Sequence, residues 1–475
     1  MLFPTVQFAV FLTVVFVGNW LLMRRPGPWR GFMLAASYFF YGFWDWRFVA
    51  LLIGTTAVNQ WFALRISRSA SSGRRRLLLR GAIGANLAVL GFFKYYGFLV
   101  VSVTRALESF GIRPNLPLLE IVLPVGISFF TFVAISYVVD VYRGTLEPAP
   151  ALDFAVFLAF FPRLVAGPIV RGSEFLPQLH PPRDSRHIDA GRAFYLIFIG
   201  LAKKIVIADL LATTLVDPVF ASPRLHTGLA ILVAVYGYAI QIYADFSAYS
   251  DIAIGVALLL GFQLPDNFNA PYAATSIGDF WRRWHMTLSR WLRDYLYVSL
   301  GGNRRGRLLT YRNLMLTMLL GGLWHGAAWR FVIWGGLHGI WLCTERWWGQ
   351  RRAARGLAPI RSTVALRVAQ RIATFHLVAL AWVFFRADSV SSAWLIITRI
   401  FTAFEFSAPG VTPAIILAIA VGLAAQYVPR WQVERGLIGF TRLRPAFQAA
   451  VLALTLMVID ALGSEGVASF IYFSF

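Results

Sequence analysis

Long apolar runs separated by short basic stretches set the pattern of this chain. The runs lie at 5–23, 83–103, 120–139, 227–243, 252–264, 313–342, 411–428 and 446–463. A helix that crosses a bilayer needs about 20 consecutive apolar residues, so these runs predict a polytopic membrane protein. Between them stand Arg24, Arg25 and Arg30, then the groups Arg65 to Arg80, Arg304 to Arg312, Arg346 to Arg371 and Arg430 to Arg444. Basic loops mark the cytoplasmic side. With the N-terminus outside, the stretch 31–63 reads as two short helices broken near "YGFWDWR" that return to the basic loop 65–80. The run 83–103 then crosses outward, "GIRPNLP" (111–117) turns outside, and 120–142 crosses back. In the last third, 372–386 goes out and 391–405, too short to span, lies at the outer face. The run 411–428 returns and 446–463 crosses outward, which places the C-terminus outside. The whole chain, 1–475, reads as one all-α membrane domain with an aromatic tail at 470–475.

Composition agrees and adds exclusions. The chain is 58% hydrophobic and 14% charged, against roughly a quarter charged in soluble proteins. Its net charge of +22 sits in the loops, so it reports topology and not a nucleic-acid partner. Cys343 is the only cysteine, which rules out an internal disulfide framework or thiolate cluster. The first apolar run precedes its arginines and has no charged leader, so it reads as a retained span and not a cleaved signal.

Several segments carry polar groups where an apolar context makes them costly. "AFFPRLVAGPIVRG" (159–172) mixes proline, glycine and arginine into an apolar run and suits a re-entrant or interfacial element. "DFWRRWHMTLSRWLRDYLYVSL" (279–300) reads as a continuous amphipathic helix at the membrane surface, tryptophans on one face and arginines on the other. His285 falls at the border of those faces, either snorkelling at the interface or pointing beneath the helix. Asp245 and Asp251 lie in an apolar run, where carboxylates are either paired or functional; Lys203, Lys204 or an arginine of the next helix are the candidate partners. "LPDNFNAPY" (264–272) reads as a turn. In "LLGGLWHGAAWRFVIWGGLHG" (319–339), His325 and His338 would stand ~20 Å apart on one straight helix. They do not share a site unless the chain breaks between them, and spacing does not choose between them.

Two long segments carry a resemblance. "FWRRWHMTLSRWLRDYLYVSLGGNR" (280–304) and "NLMLTMLLGGLWHGAAWRFVIWGGLHG" (313–339) resemble the membrane-bound O-acyltransferase (MBOAT) family. They are closest to its bacterial branch, which serves alginate and peptidoglycan acetylation and teichoic-acid D-alanylation. "FPRLVAGPIVR" (161–171), "DFSAYSDIAIG" (245–255) and "LPDNFNAPY" match that branch in order and spacing.

The resemblance implies a ring of helices around a thinned centre, with re-entrant or interfacial helices and a tunnel. It implies catalysis by His325 of the WHG motif, with His285 as a second site histidine; the catalytic role does not transfer to His338. Trp324, Arg282 and Arg283 are the candidates for contact with the thioester donor, acetyl-CoA, which is a substrate and not a resident cofactor; the alternative for the arginines is a solvated, lipid-facing role. No metal is expected. The tail "FIYFSF" resembles an aromatic hexapeptide of this branch, which makes Tyr472 a candidate transient acyl acceptor; the alternative is an aromatic membrane anchor. The expected activity is transfer of acetyl across a bacterial plasma membrane to a cell-surface polysaccharide, completed by an extracytoplasmic SGNH-like acetyltransferase. The competing readings are a proton-coupled secondary transporter using Asp245, Asp251 and the histidines, or a subunit of an export complex.

Overall fold

The structure is a computed structural model describing residues 1, 3–180, 188–357, 363–444, 446–448, 450, 451, 453, 454, 457 and 470. Among them are helices, turns and extended connections but no strand. The chain divides into two compact units, Met1–Ala190 with Val256–Pro265, and Gly191–Gly255 with Asp266–Phe475.

The first unit contains α1 (Val6–Leu22), α2 (Pro26–Gly42), α3 (Arg47–Arg68), α4 (Ser72–Leu90), α5 (Ile127–Arg143) and α6 (Ala151–Ala159). The break between α2 and α3 falls at 43–46, inside the expected "YGFWDWR". A π-turn carries α4 on to Ser109 as one apolar helix of 38 residues. The expected crossing at 120–142 is helical only from Ile127, and every residue from 127 to 141 is buried. Lipid offers the backbone and amides no hydrogen bonds, so polar side chains inside must satisfy one another. The amides of Asn59 and Asn86 do so reciprocally, at 3.1 and 2.7 Å. The "FFPRLVAGPIV" stretch is wholly buried and broken into one short helical turn, Phe161–Leu164, as its prolines and glycines require.

The second unit holds α7 (Ala190–Ala202), a π-turn (Lys203–Asp209), α8 (Gly228–Leu259), α9 (Ile277–Arg283) and α10 (Met286–Trp291). They are followed by α11 (Arg307–His325), α12 (Trp329–Ala354), α13 (Val364–Arg386), α14 (Val390–Thr402) and α15 (Pro413–Ala424). Its core joins Ile231, Tyr238 and Phe246 of α8 to Phe280, Trp284, Trp334, Trp382 and Phe385.

Among the described residues, four helices are long and apolar enough to cross a membrane: α3, Ser72–Ser109, α8 and α13. A fifth crossing is possible where Pro413–Tyr427 bends by 97° into Trp431–Thr441. The chain is a multi-pass membrane protein. Two expected elements are corrected. The separate runs 227–243 and 252–264 share one helix, α8, because nothing between them breaks it. The expected surface helix at 279–300 is broken between α9 and α10. Of the two alternatives left open for 313–342, the structure has the broken one, with the break between α11 and α12.

Candidate active site

Both breaks fall at a histidine. α9 ends where Trp284 turns extended (φ −96°, ψ 130°), and His285 then adopts the left-handed conformation at φ 40° and ψ 55°. A non-glycine residue rarely holds that conformation unless its surroundings impose it. Here the loop "DNFNA" does so. Met286 N donates to the Asn267 carbonyl at 2.9 Å, and the Thr287 hydroxyl donates to Asn267 Oδ1 at 2.9 Å. Asn267 Nδ2 donates in turn to Ser250 Oγ on α8 at 3.1 Å, and Asn269 N donates to the Arg283 carbonyl at 2.9 Å. At the other end of α9, Glu345 of α12 accepts from Ile277 N and Gly278 N at 2.5 and 3.0 Å. These bonds satisfy helix-start donors that would otherwise lack partners.

The result is a fully buried His285, not a snorkelling one. Its ring stands 4.6 Å from Phe246 and perpendicular to it, and 6.0 Å from Trp324. The turn lies outside the four spanning helices, and burial pushes its imidazole down to about 3. His285 is therefore neutral at physiological pH, its ring carrying one N–H and one lone pair.

The second break depends on glycine. α11 ends at His325 and Gly326 is extended, after which α12 turns back along α11. A Cβ on Gly326 would come within 2.0 Å of the Phe331 ring. Where the two helices cross, a Cβ on Gly322 would meet the Phe331 carbonyl oxygen at 2.2 Å, and one on Gly335 the Met318 carbonyl oxygen at 2.3 Å. Only small residues permit that approach. The hairpin brings His325 and His338 to the same indole, with Trp334 at 5.0 Å from the first and 4.9 Å from the second, in place of a ~20 Å separation along a straight helix.

His325 is 3% exposed, and Trp324 and Phe385 stand 4.9 and 5.2 Å from it. Trp324 is thus near both rings, 4.9 Å from His325 and 6.0 Å from His285. His338 is differently placed, in ring contact with Trp341 and stacked on Phe280, and its Nδ1 accepts from Trp281 Nε1 at 3.3 Å.

The arginines stand apart from this aromatic cluster. The Arg282 side chain is 72% exposed and 3.6 Å from Asp279, and Arg283 pairs with the same carboxylate at 3.0 Å. Tyr472 lies outside the described residues, whereas Phe470, two positions before it, is buried. Asp251 pairs with Lys203 at 2.6 Å, and Lys204 bridges Asp209 and Asp245 at 2.8 Å each. The intramembrane carboxylates are therefore held in ion pairs. No cluster of three or more His, Cys, Asp or Glu suited to a metal occurs among the described residues.

Sequence reading missed Asn267, Trp334 and Phe385. Asn267 was read only as part of a turn, and the two aromatics carry no signal beyond apolar periodicity.

Comparison with known proteins identifies the family. The family model "MBOAT, membrane-bound O-acyltransferase family" matches residues 120–385, a stretch that contains His285, His325 and His338. The "Probable alginate O-acetylase AlgI" of Pseudomonas aeruginosa is 44% identical over 407 residues, covering 85% of this chain and 75% of that protein. The "Peptidoglycan O-acetyltransferase" of Helicobacter pylori is 39% identical, covering 83% and 78%. The "Teichoic acid D-alanyltransferase" of Streptococcus thermophilus is 30% identical over a shorter region, 55% of this chain and 67% of that protein. The chain belongs to the membrane-bound O-acyltransferase family and is a multi-pass O-acyltransferase.

Proposed function

We propose that this protein moves acetyl groups from cytoplasmic acetyl-CoA across a bacterial inner membrane for O-acetylation of a cell-surface polysaccharide. The observation that carries this reading is the pair His285 and His325, both buried and both within ring-contact distance of Trp324. The alginate and peptidoglycan names of its relatives support the acetyl group and the polysaccharide acceptor. His325 acts as general base, removing the proton of an attacking hydroxyl as its oxygen bonds to the thioester carbonyl carbon. The C–S bond then breaks and coenzyme A leaves as the thiol. An acyl thioester is already activated, so the site's task is positioning and proton removal. Neutral His285 offers an N–H to the carbonyl oxygen, which steadies the charge that develops there. Trp324 packs against the donor, and the exposed Arg282 with Arg283 attracts its phosphates.

The attacking hydroxyl in this reading belongs to Tyr472, which hands the acetyl group to an extracytoplasmic SGNH-like acetyltransferase. Both termini are then extracytoplasmic. A tyrosine hydroxyl is ordinarily a far weaker acid than an imidazolium, so proton removal accompanies attack and does not precede it. Purified protein with radiolabelled acetyl-CoA tests the scheme. Release of free thiol and acetylation of the protein are expected, reduced about 10²- to 10⁴-fold in His325→Ala. Tyr472→Phe, which keeps an aromatic anchor, should abolish the acetyl-protein adduct; normal onward transfer by that variant would remove Tyr472 from the scheme.

A further inference from the structure

Phe470 is buried to 2% exposure within the second unit, two residues before the proposed acceptor. Its ring meets Tyr249 of α8 at 4.8 Å, nearly perpendicular, and lies beneath the Lys204 ammonium with the centroid 4.8 Å from Nζ. Lys204 is itself 2% exposed. An ammonium has three N–H donors. Asp209 and Asp245 take two of them at 2.8 Å, which leaves the third for the face of the phenyl ring.

The backbone is shaped for this cluster. Lys204 and Asp209 are five residues apart, about 140° around a regular α-helix at 100° per residue, too far to bond side by side. The π-turn Lys203–Asp209 winds more loosely and brings them to one face. On α8, Asp245 and Tyr249 are four apart and share a face, and Phe246, next to Asp245, is the residue in contact with His285. The cluster and the histidine site therefore occupy neighbouring positions on one helix.

The geometry points to a built seat for the C-terminal tail, in which Lys204, oriented by Asp209 and Asp245, and Tyr249 together clamp the Phe470 ring. The seat is a positioning device. Two residues of chain span at most ~7 Å, so clamping Phe470 restricts Tyr472 to a small volume beside it. This function for the seat rests on Tyr472 being the acyl acceptor. It also accounts for the buried ion cluster, which otherwise has no role in the transfer reaction. An outward-lying tail would leave the Lys204 ammonium with an unsatisfied donor in an apolar surrounding.

The test reads the tail directly. In a Cys343→Ser background, Ser469→Cys supplies a single thiol next to Phe470, and its rate of modification by a water-soluble maleimide reports release of the tail. Phe470→Leu keeps apolar bulk but removes the π face, and should speed labelling roughly 10- to 30-fold, the range of a desolvated cation–π contact. Phe470→Trp should keep labelling slow. Lys204→Met should match Phe470→Leu; if that variant fails to fold because two carboxylates lose their partner, the two Phe470 variants decide alone. Unchanged labelling in Phe470→Leu overturns the seat. Tyr472→Phe separates the two ideas, since it should leave labelling slow whether or not acetyl transfer stops. Slow labelling with normal transfer would retain the seat and reject the carrier.

Discussion

The two chain breaks of the second unit reach the same end by opposite means. At Trp284–His285 the chain has no glycine, so a histidine takes a left-handed conformation and a separate loop, 266–270, holds it there. At His325–Gly326 no outside loop is needed, because a glycine removes the side chain that would strike Phe331. One break is held by hydrogen bonds and the other by the absence of an atom. Each leaves a buried imidazole with its ring close to Trp324. The difference predicts how each site fails: the glycine break should fail sterically and all at once, the hydrogen-bonded break by degrees.

Gly326→Ala should have the largest effect of the substitutions that separate the two. Phe331 is 2% exposed and its ring has nowhere to retreat from a new methyl group. Overpacking of this kind costs about 1–3 kcal/mol, and it displaces His325 as well. A lowered midpoint of thermal unfolding together with loss of thioester turnover is the expected result. A variant with native stability and activity would mean that the hairpin turn adjusts freely. Asn267→Ala should come next. It leaves the Thr287 hydroxyl and Ser250 without their partner, at about 1–3 kcal/mol, and frees the His285 turn. Turnover should fall further than stability does, and Asn267→Asp, which keeps the acceptor for Thr287, should recover part of it. Equal losses in both properties would assign Asn267 a structural role alone.

These breaks also mark the limit of what the sequence reveals. Most apolar runs and the "YGFWDWR" interruption are visible because composition changes there, whereas the basic stretches 65–80 and 430–444, read as loops, are largely helical, because arginine favours a helix as much as a loop. Pairing of Asp245 and Asp251 with lysines was legible because burying a lone carboxylate in an apolar helix is too costly to persist. Periodicity, by contrast, has no term for a single residue of unusual backbone. "FWRRWHMTLSRW" keeps its 100° phase straight through the residue where the helix stops, so the pattern read as one surface helix. The phase of 313–342 likewise carries across Gly326. What decides both breaks lies elsewhere in the chain, Asn267 for the first and the Phe331 ring for the second. The WHG motif pointed to His325 through family resemblance, whereas Trp334 became visible only once the hairpin folded two histidines onto one indole.

The smallest expected effect sharpens the contrast between those two histidines. His338 shares Trp334 with His325, yet its Nδ1 already accepts the Trp281 indole N–H, and that bond fixes its remaining proton on Nε2. A neutral imidazole with its lone pair engaged cannot take a proton from an attacking hydroxyl. Trp281→Phe removes the donor while keeping a ring against Trp334 and Phe280. The loss should be about 1 kcal/mol of stability, the net worth of one hydrogen bond, with thioester turnover close to that of the parent chain. A steep fall in turnover without a matching fall in stability would show that the lone pair of His338 must be kept occupied for the reaction to proceed. That outcome would move His338 from the packing around the site into its chemistry.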